Sequence, residues 1–160
     1  MFSPGSRNAL LRGAVVNVAA LALCSVGYFL LPFDVFDLTN TWGFTTSFVL
    51  GLSAVAVLIV RQVRRFRTGG VALTGVLLAL YLAVLFFAAV YFGLNEHWPG
   101  SVASLRTKVD ALYFALSITS TVGFGDAHAV SQPARVLVAV HLVFNLAFVG
   151  AAVQAVRTAR

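Results

Sequence analysis

Long apolar runs broken by short polar interruptions dominate this chain. Four are long enough, or nearly so, to cross a hydrocarbon core, which takes roughly 20 residues of helix. They run from Ala14 to Leu31, Gly43 to Val60, Val71 to Leu94 and Ala134 to Val156. Each is apolar all round rather than along one stripe, so every face is expected to meet lipid or another helix. Between the third and fourth runs the pattern changes. Asn95 to Arg106 is polar, and Glu96, His97, Trp98, Pro99, Gly100 and Ser101 have the chemistry of an exposed connection. Thr107-Lys108-Val109-Asp110 then has the Thr-x-x-acid form of a helix start, continued by Ala111 to Ser120 as a helix too short to span.

Composition agrees with a membrane protein: 60% of residues are hydrophobic and 10% charged, with a mean hydropathy of +0.94. Arginine placement then predicts orientation, because positive residues near helix ends stay cytoplasmic. Eight of the eleven Lys and Arg residues fall on one side: Arg7, Arg12, Arg61, Arg64, Arg65, Arg67, Arg157 and Arg160. Both termini are therefore expected in the cytoplasm of a multi-pass plasma-membrane protein. Arg106, Lys108 and Arg135 belong to the outer side. The Arg61–Arg67 cluster has two readings, retention by the positive-inside rule and binding of anionic lipid headgroups. It does not read as a voltage sensor, whose charges repeat within a span, and the first two runs contain no Asp, Glu, Lys or Arg. The N-terminal run reads as an anchor rather than a cleaved leader. Cys24, the sole cysteine, excludes an intrachain disulfide and reads as core filler. Trp42 and Trp98 fit outer-interface positions. The pI of about 10.5 is explained by membrane topology, and no nucleic-acid partner is expected.

Thr121-Val122-Gly123-Phe124-Gly125-Asp126 is the candidate chemistry. Four such strands around an axis would turn backbone carbonyls inward to replace the hydration shell of K+, with Gly123 and Gly125 permitting the required backbone. A glycine-rich string alone also closes turns in soluble proteins; here the apolar setting and the short preceding helix select the cage. That helix would aim its negative end at the membrane centre. One copy per chain implies a homotetramer. No nucleophile-base pair, metal cluster or nucleotide-binding glycine motif is present, so neither an enzyme nor a cofactor is expected, with K+ only as permeant ion.

The segment Tyr113-Phe114-Ala115-Leu116-Ser117-Ile118-Thr119-Ser120-Thr121-Val122-Gly123-Phe124-Gly125-Asp126 resembles the pore-helix and filter signature of tetrameric potassium channels, most closely the bacterial single-pore ion-channel family. The resemblance extends from about Val71 to Val156 and includes Arg135, a basic residue opening the inner helix. It implies ion ligation by the carbonyls of Thr121, Val122, Gly123 and Phe124 and by the Thr121 hydroxyl. It also implies an outward turn at Gly125 and a filter held by Asp126, with Tyr113 as its hydrogen-bond partner or as an aromatic spacer.

Three positions depart from that family's pattern. Phe124 replaces a more usual Tyr and lacks its hydroxyl. Ser117 stands where some relatives carry a glutamate paired with the filter aspartate. Asn145 occupies a glycine-hinge position, while Gly150 matches a second family glycine. His141 lies one turn from Asn145, forming a polar stripe in an apolar span. Two readings stand for each: cavity lining or an inter-helix bond for Asn145, and a neutral imidazole between helices or a pH-sensitive gate element for His141. His128 reads as a solvated mouth residue or an external proton sensor.

The expected fold is an all-α membrane protein of four transmembrane helices with a re-entrant pore helix and extended filter. Residues 1–67 form an N-terminal segment with two peripheral helices, and 68–160 form the pore domain. No soluble ligand-binding domain is expected beside the pore domain. A K+-transporter subunit and a nonconducting membrane scaffold remain as alternatives.

Overall fold

The computed structural model describes residues 19, 21–30, 43, 46, 49–51, 53, 54, 57, 61 and 73–158. Trp42, Arg64, Arg65, Arg67 and both chain termini lie outside the described residues. In chain order the elements are α1 (Leu21–Leu30), α2 (Leu73–His97), β1 (Val102–Ala103), α3 (Lys108–Thr119), β2 (His128–Ala129) and α4 (Gln132–Thr158). The described residues between 43 and 61 are also helical. Among the described residues, two stretches are long and apolar enough to cross a membrane, Leu77–His97 in α2 and Gln132–Ala151 in α4. The described chain is mostly helical, consistent with an all-α membrane protein.

Local chemistry sets the helix ends. Trp98 N–H still bonds Leu94 O at 2.8 Å, which carries α2 past the expected end at Leu94. Pro99 then disfavours helical backbone at the residue before it. The α3 start is a reciprocal capping box: Thr107 Oγ1 accepts from Asp110 N–H at 3.2 Å, and Asp110 Oδ2 accepts from Thr107 N–H at 2.7 Å. Asp110 Oδ2 also takes Arg106 N–H at 2.9 Å. These backbone bonds, that of Arg106 foremost, hold the Asp110 carboxyl below its usual range. At α4, Ser131 Oγ accepts from Ala134 N–H at 3.3 Å, and Pro133 sits in the first turn, where a missing donor is harmless.

The connection after α2 holds a feature absent from the sequence reading. Val102 pairs with Ala129 and Ala103 with His128 in an antiparallel ladder. Its end is extended by Val130 N–H and Ser131 N–H, which both donate to Ser101 O at 2.9 and 3.2 Å. Asn95 braces the same connection, donating to Leu105 O at 2.7 Å and accepting from Val102 N–H at 3.1 Å. The ladder clips together the two ends of the 102–129 segment, so α3 and Thr121–Asp126 emerge from a closed base.

Packing selects faces that hydropathy does not distinguish. Val84, Phe87, Ala88, Tyr91 and Leu94 form the buried stripe of α2, and Ala111, Phe114, Ala115 and Ile118 that of α3. Spacings of three and four place each set on one face. On α4, Ala134, Leu137, His141, Asn145 and Phe148 face inward. Gly51 marks another close approach, since a Cβ there would collide with the Phe86 ring. Cys24 is half-buried and free.

Candidate functional site

Four backbone N–H groups following α3 turn back onto its last carbonyls. Ser120 N–H reaches Leu116 O at 2.9 Å, Thr121 N–H reaches Ile118 O at 3.0 Å, and Val122 and Gly123 N–H both reach Ser117 O at 3.2 Å. A trans peptide holds its C=O and N–H in opposite directions. Because the Val122 and Gly123 N–H groups point at α3, the carbonyls of Thr121 and Val122, in the same two peptide units, point away from it. These carbonyls lie on the exposed side of the chain.

The backbone alternates in hand along this segment. Thr121, Gly123 and Gly125 have φ of 59°, 57° and 85°, whereas Val122 and Phe124 do not enter the positive region. A Cβ at Gly123 or Gly125 would meet no atom within 4 Å. The need for glycine there is therefore conformational, not spatial. Thr121 bears the left-handed conformation despite its β-branch, which costs roughly 1–2 kcal/mol. Every residue from Thr121 to Asp126 is exposed in the single chain.

Side chains brace this segment from one flank. Tyr113 Oη lies 3.1 Å from Asp126 Oδ1 and 3.0 Å from Oδ2, and its ring stacks on Phe124 with centroids 6.0 Å apart and planes 12° apart. Ser117 contributes through its carbonyl, because its hydroxyl donates within the helix to Phe114 O at 2.8 Å. His128 Nδ1 lies 3.2 Å from Gly125 O, which makes that nitrogen the donor.

Behind α3 the polar residues of α4 are buried against neighbouring helices. His141, 1% exposed, stacks on Phe87 with centroids 3.7 Å apart and planes 5° apart. Its Nδ1 is 3.2 Å from Tyr91 Oη and its Nε2 is 3.0 Å from Thr119 Oγ1. Thr119 spends its one hydroxyl proton on Ala115 O at 2.8 Å, so His141 Nε2–H must donate to it. Nδ1 is then the bare acceptor of the Tyr91 proton. One neutral tautomer satisfies the whole chain from α2 through α4 to α3. Asn145 Nδ2 donates to Ile118 O at 3.4 Å, leaving buried Oδ1 without a partner among the described residues.

His141 and Asn145 thus share the packed face of α4, while Leu142, Leu146, Val149 and Val153 form its exposed stripe. Gly150 is exposed, with nothing near a Cβ. Among the described residues, no group of three His, Cys, Asp or Glu side chains is placed to hold a metal ion.

Residues 79–159 match the protein-family model described as Ion channel. The chain belongs to the ion channel family. No curated protein matches it, and no solved structure does. Membership assigns passive ion conduction rather than enzymatic turnover, and the matched region takes in α3, Thr121–Asp126 and α4. Tyr91, Thr119 and Asn95 were missed in the sequence reading. For Asn95 the available clue was an amide at the polar end of an apolar run; Tyr91 and Thr119 gave none, being ordinary residues of their helices.

Proposed function

We propose that this ion channel is potassium-selective and works as a homotetramer in the plasma membrane. K+ passes between four copies of Thr121–Phe124, ligated by the carbonyls of Thr121, Val122, Gly123 and Phe124 and by the Thr121 hydroxyl. The observation carrying this reading is the double acceptance by Ser117 O of the Val122 and Gly123 N–H groups, which turns successive carbonyls away from α3. A cation needs such a row to replace its water. In this reading α3 is the pore helix, and its C-terminal end places about half a negative charge beneath the filter.

Assembly is supported by apolar surface that a single chain leaves open. Val109, Tyr113 and Leu116 on α3, and Leu142, Leu146, Val149 and Val153 on α4, are exposed at helical spacing. Sister subunits would cover the α3 face, and the α4 stripe would face the central cavity. Asn145 and His141 would then act on gating by holding α4 against α3, with Gly150 as the freer point below them. Both termini are cytoplasmic in this arrangement, with Arg61, Arg64, Arg65 and Arg67 at the anionic inner leaflet.

Purified protein in potassium-loaded liposomes tests the reading. A K+-driven flux, blocked by Ba2+ and absent with Na+, is expected; equal Na+ flux would overturn selectivity, and no flux would favour a scaffold.

A further inference from the structure

We propose that α1 is a working part of the conduction machinery: Tyr28 and Lys108 form a clasp by which α1 holds the outer end of α3 and so positions Thr121–Asp126. The inference rests on the potassium-channel reading for its electrical consequence, but the clasp itself stands on independent contacts.

Lys108 is the first residue of α3. A cation at a helix N-terminus is disfavoured by the positive end of the helix dipole. Here the side chain reaches across to α1, and its ammonium donates to Phe29 O at 2.9 Å, in the last turn of that helix, where carbonyls lack partners and the dipole is negative. The return contact uses the adjacent residue of α1: Tyr28 Oη donates to the backbone carbonyl of Lys108 at 2.8 Å. Each helix end therefore both gives and receives a bond. Tyr28 is 5% exposed, and its ring belongs to the same core as Tyr91 and Phe114. One turn earlier, Ser25 donates to Leu21 O at 2.8 Å, so Tyr81 must be the donor in the 2.9 Å contact between Tyr81 and Ser25. α1 is thus pinned to α2 and to α3 by residues on one face, while Leu23, Val26 and Leu30 face outward.

Displacement at Lys108 is not absorbed locally, because α3 is a continuous helix of 12 residues. Its far end carries Ser117, whose carbonyl holds the Val122 and Gly123 N–H groups. A tilt of α3 about its start therefore moves the anchor of the conducting carbonyls. An anchor helix that served only to insert the chain would need no polar bond to α3.

The test uses the full-length protein in lipid nanodiscs and bilayers, with Tyr28→Phe, Lys108→Met and Lys108→Arg. Hydrogen exchange at the amides opening α3 should be about threefold faster in Tyr28→Phe and Lys108→Met, the shift expected from one partly solvated hydrogen bond. Lys108→Arg, which keeps the cation and donor, should restore slow exchange. In sustained recordings the first two variants should lose current about threefold faster than wild type, with Lys108→Arg again close to it. Unchanged exchange in both variants overturns the clasp. Faster exchange with an unaltered current overturns the positioning role. A wild type that conducts no K+ overturns the channel reading instead, and the exchange result still decides the contact.

Discussion

Tyr113 and Asp126 are joined across 13 residues by one hydroxyl set between both carboxylate oxygens, at 3.1 and 3.0 Å. A phenol is neutral and a donor at pH 7, so this bond ties the outer end of the proposed filter to the helix before it. Tyr113→Phe removes the donor but keeps the ring against Phe124. Potassium current should decline about threefold faster during sustained recording, as loss of one charge-assisted hydrogen bond at a solvated site implies, with assembly intact. A decay matching wild type would show that ring stacking alone holds this end.

The His141 chain predicts a hierarchy among variants. Tyr91→Phe strips the proton donor from a buried imidazole nitrogen and should cost about 1–2 kcal/mol. His141→Leu leaves the fully buried Tyr91 hydroxyl without its acceptor and also removes the ring stacked on Phe87, so it should cost at least as much. Thermal unfolding of both proteins in one detergent compares them. A His141→Leu protein more stable than Tyr91→Phe would mean that neither the stacking on Phe87 nor the acceptor for Tyr91 contributes appreciably.

Asn145 behaves differently because half its amide is unpaired. Its Oδ1 is buried without a partner among the described residues, and its Nδ2 bond is long at 3.4 Å. Asn145→Leu should leave stability within about 1 kcal/mol of wild type or raise it, since the cost of the orphaned oxygen disappears. Thermal unfolding again reads the outcome. A large loss would imply that a sister subunit or water supplies the missing partner.

Asp110 gives a signed pH dependence. Its carboxyl is held below the ordinary value, first by the backbone N–H of Arg106 and then by that of Thr107. A lowered folded-state value contributes stability that is present above the unfolded carboxylate value of about 3.9 and lost as pH falls through the folded one. Hydrogen exchange at the start of α3 should therefore accelerate in acid relative to the intrinsic rate, and Asp110→Asn should flatten that response. An unchanged acid response in Asp110→Asn would assign it to another group.

Much of this arrangement was readable where physics is local. Thr107 and Asp110 are three residues apart and announced the α3 cap, and the glycines of Thr121–Asp126 marked out the candidate site. The third and fourth apolar runs located α2 and α4 to within a few residues. What escaped the sequence was contact between distant residues. The Val102–Ala129 ladder is two residues long and leaves no periodic trace, and Tyr28 meets Lys108 across 80 positions. Uniformly apolar helices also conceal which face is packed. His141 and Asn145 were visible as a polar stripe, but only packing against Tyr91, Thr119 and Ile118 shows that the stripe faces α2 and α3.

In the proposed channel, K+ selection rests on the carbonyls turned away from α3. Its most direct test is the reversal potential of reconstituted wild-type protein with K+ on one side of a bilayer and Na+ on the other. A strong displacement from zero, with the sign of K+ flux down its gradient, is expected. A reversal at zero, with single-channel openings visible, would contradict it.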